Sequence, residues 1–400
     1  MSPNEASWEG SGVTVGQIET ELQRLWRASD SDWNGEGRRP DIRTSVLNLV
    51  VYARNDDCRD RAVNAIEQLS GTHPSRSILI VAGNRSAPAS IDARLTLQSH
   101  GAYAEFRQVC SEQLELRVHG PAMNHVASVA LPLLAPDLPV FVWWPGEAPF
   151  GHSIFAQLRD AADRFMVDSS DFAKPSQEMA LLHRAVGSST SCVFSDFNWP
   201  RLAAWRELVA QLFDEPALLP YLQRLRAVWI ECAPPQSPSA SMHDVPQAML
   251  LSGWLGSSLG LQPSELKIGT DHYALQLASE GRQGTLDVQV SSTSTGQSLA
   301  VRMIADAVGD LPSAEFSIAL DRKTDQITST VKMAGADPTV RRSVLPERDE
   351  GQLLFSELET FQRDEAYEQA LAAAAQTVEP RQREAVRGPS VGVRGSGISG

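Results

Sequence analysis

The sequence predicts an α/β N-terminal domain with a mainly parallel sheet, followed by an α+β domain with an antiparallel meander and a C-terminal helix. Three observations predict this. Between Arg43 and Trp199, short and nearly continuous apolar runs alternate with amphipathic stretches, the pattern of βα units whose sheet is covered on both faces. Beyond Arg224 the runs become short and alternating and are separated by GRQG, STSTGQ, GDLP and DRKTDQ, which reads as a meander. At 400 residues the chain also exceeds what one hydrophobic core organises. The expected units are a disordered N-terminus over 1–13, an α/β domain over 14–223, an α+β domain over 224–376 and a disordered tail over 377–400.

Thr14 to Gln17 has the form of a capping box, and Ile18, Leu22, Leu25 and Trp26 then share one helical face. The polar stretch Ser29 to Pro40 reads as a loop, Arg43 to Ala53 as a buried strand, and Asp57 to Leu69 as a helix. Ser77 to Val81 is a second buried strand. Ala93 to Gln98, Ala104 to Gln108 and Gln113 to His119 form an antiparallel excursion, and a helix begins at Pro121. Pro139-Val-Phe-Val-Trp-Trp144 is a central strand stopped by Pro145-Gly146. Strands Arg164 to Val167 and Ser191 to Phe194 follow, each with a helix after it, the last opened by Pro200 at its first position. In the second half Val228 to Cys232 is a strand, Ala233 to Ser241 a Pro/Ser loop and His243 to Leu259 a helix. Five short strands then lie between Tyr273 and Met333, and Leu353 to Ala375 is one long helix.

The spatial consequence bears on function. WWPGE, DSSDF and SDFNW each follow a strand of a parallel sheet, so they gather along its carboxyl edge, where open α/β sheets receive ligands. Trp143 and Trp144 are adjacent in a strand and point to opposite faces, so either one packs beneath a helix and the other is exposed at the strand's carboxyl end, or both belong to the core.

A net charge of −14 and a pI near 5.1 exclude a basic footprint for nucleic acid. The N-terminus has no basic segment followed by an apolar one, and the apolar run Val126 to Trp144 is broken by three prolines and Asp137. A cytoplasmic protein without a membrane segment is the expectation. The cysteines Cys58, Cys110, Cys192 and Cys232 are far apart, which supports neither zinc nor a redox pair, and no cofactor is expected.

Two catalytic patterns lack their context. Gly395 to Gly400 fits GxGxxG but has no strand before it, and Gly256 to Gly260 fits GxSxG around Ser258 but ends a helix rather than a strand. Asp168, Asp171 and Asp196 at the strand ends can be read as carboxylates for acid–base work or as caps for orphan N–H groups. His73 and Arg76 can be read as an anion site or as a positioned turn.

The stretches HPSRS (His73 to Ser77), LPLLAPDLPVFVWWPGE (Leu131 to Glu147), FMVDSSDF (Phe165 to Phe172) and SDFNWPRLAAWRELVAQLFD (Ser195 to Asp214) occur in that order. Together they resemble the glucose-6-phosphate dehydrogenase assembly protein family, OpcA, over residues 14 to 375. The resemblance implies a non-catalytic partner that promotes assembly and activation of that dehydrogenase in the oxidative pentose phosphate pathway. Its contact surface is expected at Trp143, Trp144, Glu147, Asp168, Asp196, Trp199 and Arg201. Redox control is not expected from this cysteine spacing. The alternative is a sugar-phosphate-binding α/β enzyme with Asp168 or Asp196 as base and Arg76 or Arg201 on phosphate.

The tail composition generates one expectation. Val378 to Gly400 contains no Leu, Met or aromatic residue, so a chain ending at Thr377 is expected to melt within about a degree of the full chain. Calorimetry of the two checks it, and a large drop means that the tail docks.

Overall fold

The computed structural model describes residues 4–33, 45–70, 73–100, 109–147, 150, 153–232, 244–268, 272–279, 285–292, 299–321, 324–345 and 348–376. It contains two mixed sheets with helices. The first holds β1 (Asn4–Gly10), β2 (Leu47–Ala53), β3 (Ser75–Ala82), β4 (Ser90–His100), β5 (Val109–His119), β6 (Val140–Trp144), β7 (Arg164–Val167) and β8 (Val193–Asp196). Their order is β1-β4-β5-β3-β2-β6-β7-β8. The pairings from β5 through to β8 are parallel, and β4 pairs antiparallel with both β1 and β5.

Composition explains the centre of this sheet. LNLVVYA in β2 is buried at every position, so β2 must be covered on both faces. Asn48 is the polar exception, and its side chain is fully used. It donates to the carbonyls of Ala135 and Leu138 at 2.9 and 3.3 Å and accepts from the Ala135 amide at 2.7 Å. That clamp fixes the proline-rich lead into β6.

Helices cover both faces. On one side lie α1 (Val15–Trp33), α3 (Val126–Ala130), α4 (Ser153–Ala161) and α5 (Pro175–Ser188), and on the other α2 (Asp56–Leu69). There α2 packs Cys58, Ala62, Ile66 and Leu69 against Leu49, Val51 and Trp143. The Thr14 capping box forms as expected, with Thr14 N donating to Gln17 Oε1 at 2.8 Å. After β8 come α6 (Asn198–Arg201) and α7 (Ala203–Gln211).

The second sheet holds β9 (Leu225–Cys232), β10 (Gln262–Ile268), β11 (His272–Ala278), β12 (Leu286–Ser292), β13 (Leu299–Ala305), β14 (Ala314–Asp321), β15 (Gln326–Met333) and β16 (Thr339–Val344). Their order is β10-β11-β12-β9-β13-β14-β15-β16, antiparallel except where β12 meets β9. α8 (Asp244–Ser258) covers one face, and α9 (Glu350–Leu358) and α10 (Glu365–Gln376) close the described chain. α9 returns to the first sheet, where Leu353, Leu354 and Leu358 join the cluster under α2. α10 lies between α5 and α8.

Several expectations are corrected. Asn4–Gly10 is not disordered but an edge strand on β4, because its alternating residues match β4 in register. Helix α1 runs on to Trp33, into the stretch expected as a loop. The Pro121 region is a 3-10 turn before a five-residue helix. Pro200 sits inside α6 rather than at its start. Leu353 to Ala375 is two helices, since each has its own job: α9 covers the first sheet and α10 braces α8. Strands β10 and β16 were not expected; both are sheet edges, where one-sided burial weakens the alternation. Ala104 to Gln108, the Pro/Ser loop and the C-terminal tail lie outside the described residues.

The α8–α10 crossing depends on a glycine. A Cβ at Gly253 would lie 2.1 Å from the Ala370 carbonyl oxygen, whereas one at Gly187 in α5 meets nothing within 4 Å. Gly253→Ala is therefore expected to cost ~1–3 kcal/mol or more through overpacking. Gly187→Ala should be neutral or gain up to ~1 kcal/mol from helix propensity. Urea melts of the two variants check this, and equal effects would refute the crossing.

Candidate functional site

The three strand ends converge. β6, β7 and β8 are adjacent and parallel, and their following turns interlock by hydrogen bonds. Gly146, at φ +86 in the turn after Trp144, donates its amide to Asp171 Oδ2 at 2.9 Å. Ser169 donates its amide to Asp196 Oδ1 at 2.9 Å, and Asn198 does the same at 3.0 Å. The Asn198 side chain donates to Ser169 Oγ at 2.8 Å.

Charge is paired within this knot. Asp168 is 1% exposed and receives Arg201 as a fork, both contacts at 2.7 Å. Its other contacts are the Ser170 hydroxyl and amide. Burial alone would raise the Asp168 pKa, but Arg201 and Ser170 outweigh it and hold the carboxyl at about 2. Asp196 has no such cation. Burial first, and then the charge of Asp168, push it up to about 6, and its Oδ2 makes no hydrogen bond among the described residues. The buried Tyr367 hydroxyl shares that condition. Burial, with Asp196 and other carboxylates nearby, raises the Tyr367 pKa well above its ordinary value.

Helices α9 and α10 roof the same edge. Arg61 of α2 forks onto Asp171 at 3.1 and 2.8 Å and also holds Glu350 of α9. Arg164 bonds Glu357 at 3.2 Å and the Gln362 carbonyl at 2.8 Å. Trp199 donates to Asp364 at 2.6 Å, with Arg206 stacked 3.4 Å from its ring centroid. Burial pushes the Arg206 pKa down to about 10.

The expected site residues therefore fall into separate places. Trp143 and Trp144 are both buried, at 0% and 1%, which corrects the alternative in which one is exposed. Trp143 lies under α2 and α9 against Phe197, and Trp144 packs between Tyr52, Phe155 and Phe165. Trp199 is also buried, beneath Arg206. Glu147 is half-exposed, 3.4 Å from Arg54, and its carboxyl raises the pKa of buried Glu178 after burial itself has done so. The anion site is corrected as well. Arg76 is buried and neutralised by Glu112, which also accepts from Trp26 at 2.6 Å, and it donates to the Leu133 carbonyl. His73 instead faces Phe355 of α9 edge-on at 4.6 Å. Ser258 ends α8 beside an apolar pocket with Trp254 and Leu259, away from any strand-to-helix turn.

Arg61, Glu350, Arg164 and Glu357 were missed by sequence reasoning. Arg61 and Glu350 are 289 positions apart, and only the i, i+3 or i+4 pattern of charges is readable locally. Beside the knot a cleft of about 910 Å³ opens between α2, α7, the start of α9 and the near ends of the second sheet. Its walls include Arg61, Arg201, Glu207, Asp325 and Arg348. Among the described residues no group of three potential metal ligands occurs, and no helix is long and apolar enough to cross a membrane.

A family model described as glucose-6-phosphate dehydrogenase subunit N-terminal domain matches residues 66–184, and one described as the C-terminal domain matches residues 192–371. The chain is similar to OxPP cycle protein OpcA of Synechococcus elongatus, with 26% identity over 352 residues covering 85% of this chain and 72% of that protein. It is similar to the Synechocystis protein of the same name at 24% over 286 residues, covering 66% of this chain and 55% of the relative. The chain thus spans little more than half the length of the Synechocystis relative. Among solved structures, oxidoreductase YvaA of Bacillus subtilis aligns with a TM-score of 0.45 at 10% identity, over 85% of this chain and 97% of the other. A likeness that distant says nothing of activity.

The titration of Asp196 generates a prediction. Its folded pKa of about 6 lies above that of a free aspartate, so folding favours the protonated form. That contribution is complete below about pH 4 and is lost as pH rises through about 6. Asp196→Asn keeps an oxygen for the two amides, so it should gain ~2 kcal/mol on the parent at pH 7.5 and nothing at pH 4. Urea melts at both values test this, and a gain independent of pH would assign it elsewhere.

Proposed function

The chain belongs to the glucose-6-phosphate dehydrogenase assembly family, OpcA, and from that premise we propose that it is a non-catalytic partner of the dehydrogenase, acting in the cytoplasm in the oxidative pentose phosphate pathway. It binds the enzyme and favours its active assembly. The observation that carries the non-catalytic reading is that the carboxylates at the carboxyl edge are already paired. Where an α/β enzyme would present acid and base to substrate, Asp168 is forked by Arg201 and Asp171 by Arg61, which also holds Glu350 of α9.

Such a protein acts by differential affinity. It shifts the dehydrogenase toward the competent state only as far as it binds that state more tightly, typically by ~1–3 kcal/mol of coupling. The buried tryptophans and Asp168 hold the platform rigid, and contact falls to exposed groups at its margin. We place it along the cleft rim, where Glu207, Asp325 and Arg348 are exposed, with Arg201 on the wall behind them.

One observation favours the enzyme alternative: a carboxyl poised near 6, as Asp196 is, suits a general base. Against it, Asp196 is fully buried and spends Oδ1 on two backbone amides.

The discriminating experiment uses the purified full chain. With sugar phosphates alone no turnover is expected; mixed with the dehydrogenase, co-elution and a change of about 5- to 150-fold in its kinetic constants are expected. Reversing Glu207, Asp325 and Arg348 together should weaken association with an unchanged melting curve. Turnover by the chain alone, or no association at all, sinks the proposal.

A further inference from the structure

The second sheet has one face against α8 and the shared core, with Val228, Ile230, Val288, Val301, Met303, Phe316 and Ile318 pointing inward. On the opposite face Gln289, Arg302 and Val340 are exposed and Trp229, Ser317 and Thr330 are half-buried. Its outward positions follow from the ladder. Trp229 stands beside Gln289 on β12 and Arg302 on β13, and the row continues through Ser317 and Thr330 to Val340.

That face is mixed. On the central strands β9, β13 and β14 the outward residues Ala227, Trp229, Ala300, Ile304 and Ala319 are small or apolar, and Glu231, Arg302, Glu315, Ser317 and Asp321 between them are polar. At the edge, Val340 and Val344 are 47% and 69% exposed. Trp229 is held flat: it donates to Gln289 Oε1 at 3.1 Å, and Arg302 stacks 4.3 Å from its ring centroid.

We propose that this face is the interface of a two-fold homodimer. The charge layout argues for a second copy. β9 and β12 present Glu231 and Asp287, whereas β13 to β16 present Arg302, Lys332 and Arg342 against two carboxylates, Glu315 and Asp321. A two-fold axis along the strands, between β9 and β13, lays the acidic half of one copy on the basic half of the other. It also sets Trp229 of each copy opposite Arg302 of its mate, an arrangement that isologous symmetry requires to occur twice. The area is sufficient. Seven strands about 4.8 Å apart, each with outward residues over about 20 Å, give on the order of 600 Å² per copy. The pair then reaches about 1,200 Å², the lower bound of specific interfaces.

The inference does not rest on the dehydrogenase reading, and its test contains no dehydrogenase. Light scattering of the full chain at about 50 μM should give twice the 43.5 kDa chain mass. Glu231→Arg with Asp287→Arg makes both halves basic and should yield a monomer. Adding Lys332→Glu and Arg342→Glu swaps the polarity and should restore the dimer. A monomeric parent, or a folded double variant that still dimerises, overturns the proposal, as does a folded quadruple variant that stays monomeric. Hydrogen exchange of the unaltered chain reads the same face without mutation: protection along β9, β13 and β14 should grow with concentration, and a concentration-independent pattern there overturns it too.

Discussion

Arg61 holds two carboxylates at once, Asp171 from the turn after β7 and Glu350 from the first turn of α9, and the rest of the edge depends on that joint. Burial alone would lower the guanidinium pKa, while the hydrogen bonds that Arg61 donates to Glu350 and Asp171 raise it above the ordinary value. Five donors in a rigid fork allow this double duty, which a lysine could not perform. Through Asp171 the joint reaches the Gly146 amide, so the turn after Trp144, the turn after β7 and the C-terminal helix are set by one side chain. Breaking one partner would leave a charge without its counterion, and that is why such joints are costly to lose.

The knot also shows how a low-dielectric interior sorts carboxylates. Asp168 and Asp196 sit in neighbouring turns and are both fully buried, yet they titrate on opposite sides of the free value. Arg201 decides the difference. With one guanidinium for two acids, the forked one stays ionised, and the other feels both burial and its neighbour's charge. Separated pKa values of this kind accompany catalysis in many sites, but here they follow from unequal pairing in a closed space. The same geometry leaves Asp196 Oδ2 and the Tyr367 hydroxyl without hydrogen bonds among the described residues.

What the sequence revealed and what it hid divide along a physical line. The strands were legible because β2, β3 and β6 carry unbroken apolar runs that only a doubly covered sheet explains. The convergence of WWPGE, DSSDF and SDFNW followed from parallel topology alone. The covering of that edge was not legible, because nothing near residue 168 announces that residues 350–376 return to it. The burial of both Trp143 and Trp144 was hidden for the same reason: the cover of Trp143 includes Leu353 and Leu354, some 200 positions further along the chain. Arg76 misled in a similar way, since the acid that neutralises it, Glu112, lies on a neighbouring strand and no local pattern links the two.

The two ends of the chain settle how the halves are joined. Because α9 is clamped to the first sheet by Arg61 and Arg164 while α10 crosses α8 at Gly253, residues 350–376 belong energetically to both sheets. Packed side chains and ion pairs thus connect the second sheet, through α8 and α10, to the first. Interfaces built in this way are bistable rather than elastic, because close-packed elements either keep their register or exchange it. Under the proposed function rigidity is the useful property: a platform that yields to both states of the enzyme has no differential affinity with which to choose between them.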